Sequence, residues 1–178
     1  MAEFTLEFHN VQRITAGAIG KPGQRVFYLQ VREGRRRLAL IAEKEQVRAL
    51  ADALDTMLEE LAEQNPLLAS SDDLLISDMS LEEPLEAEYR VAQMGLGYDA
   101  ERDMVVLVVQ GSNEEDTLIA RIAASRPQMR ALSTHAARVV AAGRPVCGNC
   151  GRPIEPSGHF CPERNGHGPA SPPELSTV

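Results

Sequence analysis

Between Phe4 and Ala42 apolar and polar positions alternate, in the segments FTLEFHN, RITAGAI, RVFYLQV and RRLALIA. Period-two alternation is the pattern of half-buried strands. The GKPG segment at Gly20–Gly23 and the pair Glu33-Gly34 supply turns, so this stretch reads as an antiparallel meander with one extra strand at its start. From Glu43 the period lengthens. Val47, Leu50, Leu54, Met57, Leu58 and Leu61 recur at steps of three and four, with Asp52, Asp55, Glu59, Glu60 and Glu63 opposite, which predicts an amphipathic helix stopped before Pro66. Strand pattern returns at EYRV, runs through MGLG, turns at Asp99-Ala100 and continues as MVVLVV and TLIARIAA. A second helix follows. Ser125 and Gln128 have the spacing of a capping box, Pro127 sits in the tolerant first turn, and Met129, Leu132, Ala136, Val139 and Val140 form the apolar stripe.

The two halves repeat this order at an interval of roughly 80 residues. Arg13-Ile14 matches Arg90-Val91, Ile19-Gly20 matches Leu96-Gly97, Arg25 matches Arg102, and QVRAL (46–50) matches QMRAL (128–132). The pattern predicts an α+β fold of internally duplicated βββα units, an antiparallel sheet with two helices on one face. The divisions expected are a first repeat over 1–64, an acidic connector over 65–86, a second repeat over 87–143, a metal-knuckle segment over 144–168 and a disordered tail over 169–178. The connector carries six acidic and no basic residues and reads as solvated, with a short strand near Leu74–Ile76 as an option.

Charge sharpens this picture. The net charge of -8 divides into +4 over residues 1–42, -16 over 43–119 and +4 over 120–178. An acidic balance disfavours phosphate-backbone contacts, so nucleic acid is not the expected partner, although the basic C-terminal region keeps it as an alternative. No apolar run approaches the roughly 20 residues of a membrane span, and MAEFTLEFHN lacks a basic segment leading into an apolar one; the expected location is cytoplasmic.

The chemistry is concentrated after Gly143. Cys147 and Cys150 stand as C-x2-C, Cys161 follows, and His159 and His167 flank it. A thiol pair on a tight turn offers two of the four donors of a tetrahedral zinc site, and Gly148 and Gly151 let that turn close. A redox C-x2-C would open a helix; here Gly-Arg-Pro follows. Three cysteines and one histidine leave no position for water, so the site reads as structural Zn2+. Spacing leaves the fourth ligand open between His159 and His167.

Other features read as scaffold. The Gly17–Lys21 segment lacks P-loop spacing, Arg35-Arg36-Arg37 is a hairpin tip, and Asp72, Asp73 and Asp78 belong to the connector. Arg13, Arg25, Arg90 and Arg102, with Arg48 and Arg130, are candidates for an anion pocket between the repeats. No pairing of nucleophile and base is visible. The leading reading is a non-catalytic zinc-binding adaptor with a protein partner; the alternative is a small-anion binder or enzyme using those arginines.

The segments GAIGKPGQRVFYLQVREG, EKEQV, LGYDAERD and CGNCGRPIEPSGHFCPERNGH resemble the uncharacterised bacterial family catalogued as domain of unknown function 3090, over nearly the whole chain to His167. The resemblance carries a C-terminal pattern onto Cys147, Cys150, Gly151, Gly158, His159, Cys161, Pro162, Asn165 and Gly166. The chain departs from it with Glu163-Arg164 where arginine would follow Pro162. An aromatic is common in the family where His167 stands, which favours His159 as ligand. The resemblance also implies kinase-like and histidine-phosphatase-like neighbours as partners.

Overall fold

The computed structural model describes residues 3–65, 78–143, 146–152, 154, 158–163 and 169–170, in two compact units, Met1–Ala141 and Ala142–Val178. The first unit holds seven strands and two helices: β1 (Leu6–Phe8), β2 (Arg13–Ile19), β3 (Val26–Glu33), β4 (Arg36–Ala42), α1 (Lys44–Gln64), β5 (Ala87–Asp99), β6 (Met104–Ser112), β7 (Thr117–Ser125) and α2 (Arg126–Ala141). In the second unit β8 (His159–Phe160) pairs with β9 (Pro169–Ala170), the latter formed from residues that the sequence assigns to the tail. No helix among the described residues is long and apolar enough to cross a membrane.

The strand order is β1-β7-β6-β5-β4-β3-β2. Two meanders, β2–β3–β4 and β5–β6–β7, are antiparallel within themselves, as their turns dictate. The sheet as a whole is mixed, which corrects the all-antiparallel expectation: β4 pairs with β5 and β1 with β7 in parallel. The first junction is parallel because α1 returns the chain to the end where β4 began. At the second, β1 joins β7 instead of extending the first meander.

This order forces curvature. β1 and β2 are the two edges of the sheet, yet only His9–Gln12 connect them. Seven flat strands would hold their outer pair about 29 Å apart, whereas five Cα steps reach about 19 Å at most. The sheet therefore curls, and the β3–β4 tip reaches β1: Arg36 Nη2 donates to the Glu7 carbonyl at 2.9 Å, and its guanidinium lies 4.9 Å from the Phe8 ring centre.

Alternation assigns the faces. Ile14, Ala16, Phe27, Leu29, Val31, Leu38, Leu40, Val105, Leu107, Val109, Leu118, Ala120 and Ile122 point inward into one cluster with Val47, Leu50, Leu54 and Leu58 of α1 and Met129, Leu132 and Ala136 of α2. Both helices open on a capping box. The Glu43 N–H donates to Gln46 Oε1 at 2.8 Å, and the Ser125 N–H to Gln128 Oε1 at 2.9 Å. The helices join where Ser133 Oγ donates to the Ala51 carbonyl at 3.0 Å.

The opposite face of the first meander is covered by Asp78–Glu86, the described part of the connector. Arg13 Nη1 donates to the Asp78 carbonyl at 2.9 Å, Arg37 Nη1 to that of Glu83 at 2.9 Å, and Thr15 to that of Met79. Gln30 clasps Glu82, donating to its carbonyl at 2.9 Å and accepting its N–H at 2.7 Å. Arg32 Nε contacts both Glu82 carboxylate oxygens at 3.2 and 3.1 Å. This portion is a strap bound to the sheet instead of the solvated tether that its acidity suggests. Leu74–Ile76, Asp72 and Asp73 lie outside the described residues.

Candidate metal centre

Cys147 and Cys150 lie on one tight turn of the second unit. The Gly151 N–H donates to the Cys147 carbonyl at 2.9 Å, the Cys147 N–H donates to the Arg152 carbonyl at 2.8 Å, and Gly151 takes φ +71°, where a glycine meets no Cβ penalty. The turn aims backbone donors at sulfur. N–H groups of Cys150 and Asn149 hold the Cys147 thiol below its ordinary pKa. Cys150 accepts an N–H from Arg152, which favours its thiolate, but burial and the neighbouring Cys161 and Cys147 sulfurs outweigh that and hold its pKa above the ordinary value.

The other two donors come from the β8 segment. His159 and Cys161 are two apart, so an extended chain turns them to the same side. Cys147, Cys150, His159 and Cys161 each offer one ligand atom, and these atoms lie within 4.8 Å of one another. Cys147 Sγ is 3.8 Å from Cys161 Sγ, and Cys150 Sγ is 3.9 Å from His159 Nε2. The edges of a tetrahedron built on zinc–sulfur and zinc–nitrogen bonds measure about 3.8 Å between sulfurs and about 3.6 Å from sulfur to nitrogen. Two of the donor pairs thus stand close to tetrahedral spacing, and the four residues could hold a metal ion. All three cysteines are free of disulfides. Between the two histidines left open by spacing, His159 is the one gathered with the thiols; His167 lies outside the described residues.

The anion-pocket candidates do not gather. Arg13 is spent on the strap, with Glu82 3.7 Å from its Nε. Arg25 donates to the Val139 carbonyl at 2.7 Å, near the C-terminus of α2, and covers the Phe27 ring at 4.8 Å. Arg90 pairs with Glu43 at 2.8 Å, Arg48 with Glu45 at 2.9 Å, and Arg130 with Asp55. Arg102 is exposed in the β5–β6 turn. Each of five guanidiniums thus meets an acid or carbonyl of its own.

Two charged clusters escaped the pattern reading. One is Glu82 among Arg13, Arg32 and Arg37. The other is Arg126, only 5% exposed, which donates through Nε to Asp103 at 2.7 Å and through Nη2 to the Tyr98 hydroxyl at 3.1 Å. Asp103, at φ +50°, also accepts from Tyr98 at 2.5 Å. Burial raises its pKa, but the Tyr98 and Arg126 bonds prevail and hold it below the ordinary value. Partners this distant in sequence leave no spacing signature.

No curated protein and no solved structure matches the chain. Residues 6–161 match the family described as protein of unknown function (DUF3090), a span that contains all four residues of the candidate metal cluster and stops before His167. With most of its length inside that match, the chain belongs to the DUF3090 family.

Proposed function

We propose that this is a non-catalytic, zinc-binding interaction protein of a reducing, cytoplasmic compartment. The observation that carries the reading is the closed donor set of Cys147, Cys150, His159 and Cys161. Three thiolates and an imidazole suit zinc, and four protein donors leave no site for water or substrate. Zinc so held supplies a cross-link between the Cys147–Cys150 turn and the His159–Cys161 segment, which have little apolar core of their own. Free thiols accord with a reducing compartment. The partner is a protein, for which kinase-like and phosphatase-like neighbours are the first candidates.

Duplication of an ancestral βββα unit belongs to the same proposal. Gln46 and Gln128 occupy the same place in their helices, and each amide also reaches a backbone carbonyl of the other half: Nε2 to that of Val91 in β5 at 3.1 Å and to that of Val11, between β1 and β2, at 2.7 Å.

Native mass spectrometry of the full chain should show one zinc, lost in Cys147→Ser and in His159→Ala but kept in His167→Ala. Pull-down with the zinc-loaded protein should recover a stoichiometric partner that Cys147→Ser releases. A metal-free protein whose Cys147–Cys161 amides stay protected would overturn the metal reading, and turnover in a metabolite screen would overturn the non-catalytic one.

A further inference from the structure

β5 is the fourth of seven strands, where both sides of the backbone are ordinarily paired. On the β6 side pairing runs from Arg90 to Asp99. On the β4 side it stops at Arg90, because β4 ends at Ala42 and the chain enters α1 at Lys44. The nine residues Val91–Asp99 thus present backbone groups along an edge with no strand beside it among the described residues. Ala92, Gln93 and Gly95 are exposed although they stand in the middle of the sheet.

Between this edge and α1 runs a groove of about 350 Å³ lined by Gln46, Ala49, Leu50, Ala53, Met94 and Leu96 among others. None of its lining residues is charged, in a chain that carries -8. A charged ligand group would enter without a counter-charge and lose its water. An extended backbone instead matches what the groove offers: strand N–H and C=O groups, the exposed Gln93 amide and an apolar floor.

The opposite end of the sheet shows how such an edge is closed when nothing is meant to enter. There β2 is the free strand and α2 packs along it. Extending the match of QVRAL to QMRAL places His135 of α2 where α1 has Ala53. His135 is half-buried on α2 where that helix packs along β2, with the Ala16 backbone beside its ring. Ala53 reaches nothing comparable and leaves the groove.

We propose that the β5–α1 groove is a recognition site for an extended, uncharged peptide segment of a partner protein, which adds as a strand to the Val91–Asp99 edge and seats an apolar side chain on Met94 and Leu96. The proposal is independent of the metal reading, since every residue involved lies within Met1–Ala141.

Amide hydrogen exchange on the full-length, zinc-loaded protein tests it, with a pool of blocked pentapeptides alternating Val, Ile or Leu with Thr, Asn or Gln, and a matched pool carrying central glutamates. In the free protein the outward-facing amides of 92–98 should exchange at least a hundredfold faster than those of β6. The neutral pool should protect them, and the acidic pool should not. Ala53→His, which installs the α2 plug on α1, should weaken that protection at least tenfold without lowering the melting temperature. Gly95→Leu is the second variant, because an added Cβ there meets no atom within 4 Å. Edge amides as protected as β6 in the free protein, no response to the neutral pool, equal response to the acidic pool, or protection that survives both substitutions would each overturn the proposal. Zinc content is read in the same samples and reports separately on the metal site.

Discussion

At one seam of the curled sheet α2 lies along β2, and at the other α1 stands beside β5. Both use the same device at the helix entrance: a glutamine whose oxygen caps the helix and whose nitrogen donates to a backbone carbonyl of the other half, Gln128 to Val11 and Gln46 to Val91. The difference arises seven residues later, at His135 in one helix and Ala53 in the other. The α2 position carries an imidazole beside the β2 edge, and the α1 position carries a methyl group that lines the groove. Two similar helix–strand seams thus carry side chains of very different size at corresponding helical positions.

The largest effect expected from breaking this comparison is at Gln128. Gln128→Leu removes a cap and strands the carbonyl of buried Val11, which should cost about 3 kcal/mol in urea unfolding. Gln46→Leu should cost about half as much, because the Val91 carbonyl borders a groove that admits water. Equal losses would show that both seams are sealed.

The glycines of the two meanders come next. A Cβ on Gly17 would sit 2.7 Å from Leu81 Cγ of the strap, whereas one on Gly95 meets nothing within 4 Å. Gly17→Ala should therefore destabilise by about 1 to 2 kcal/mol. Gly95→Ala should change stability by less than about 0.5 kcal/mol or raise it slightly. Thermal midpoints that shift equally for the pair would contradict the covered and open strands described.

The smallest effect is one of pH. Burial, then the Arg138 charge, hold the His135 pKa below 6.5 despite the bond to Ala16. A histidine kept neutral when folded takes up its proton more readily when unfolded, so its contribution is complete above pH 6.5 and falls as pH drops through the window below. His135→Ala should cost about 1 kcal/mol at pH 8 and flatten the stability profile between pH 7 and 5. An unchanged slope would remove His135 as the plug of that seam.

Much of this was legible in the residues. Alternation marked every strand of both meanders, the 3.6-residue stripe marked both helices, and Ser125 with Gln128 announced a capping box that the structure forms. C-x2-C with His159 and Cys161 marked the four residues that the structure gathers into a cluster able to hold a metal ion, since residue type and local spacing are encoded within a short stretch. What escaped the reading depends on partners far apart in sequence. Nothing in LEF predicts a parallel pairing with residues 120–122, nor does acidity disclose that Glu82 is clasped by Gln30. The arginine pairs looked like one pocket because repetition in sequence says nothing of which carbonyl or carboxylate lies nearest in space.

The pairing of β1 with β7 also bears on synthesis. Leu6–Phe8 leave the ribosome well before their partners at Ala120–Ile122, which are made more than a hundred residues later. The sheet cannot be completed until residues 120–122 have been made, so its folding rate is governed by loop closure over that distance. Through this interval the first strand is an unpaired edge. Its length of three residues limits how well it can template pairing with another chain while it waits.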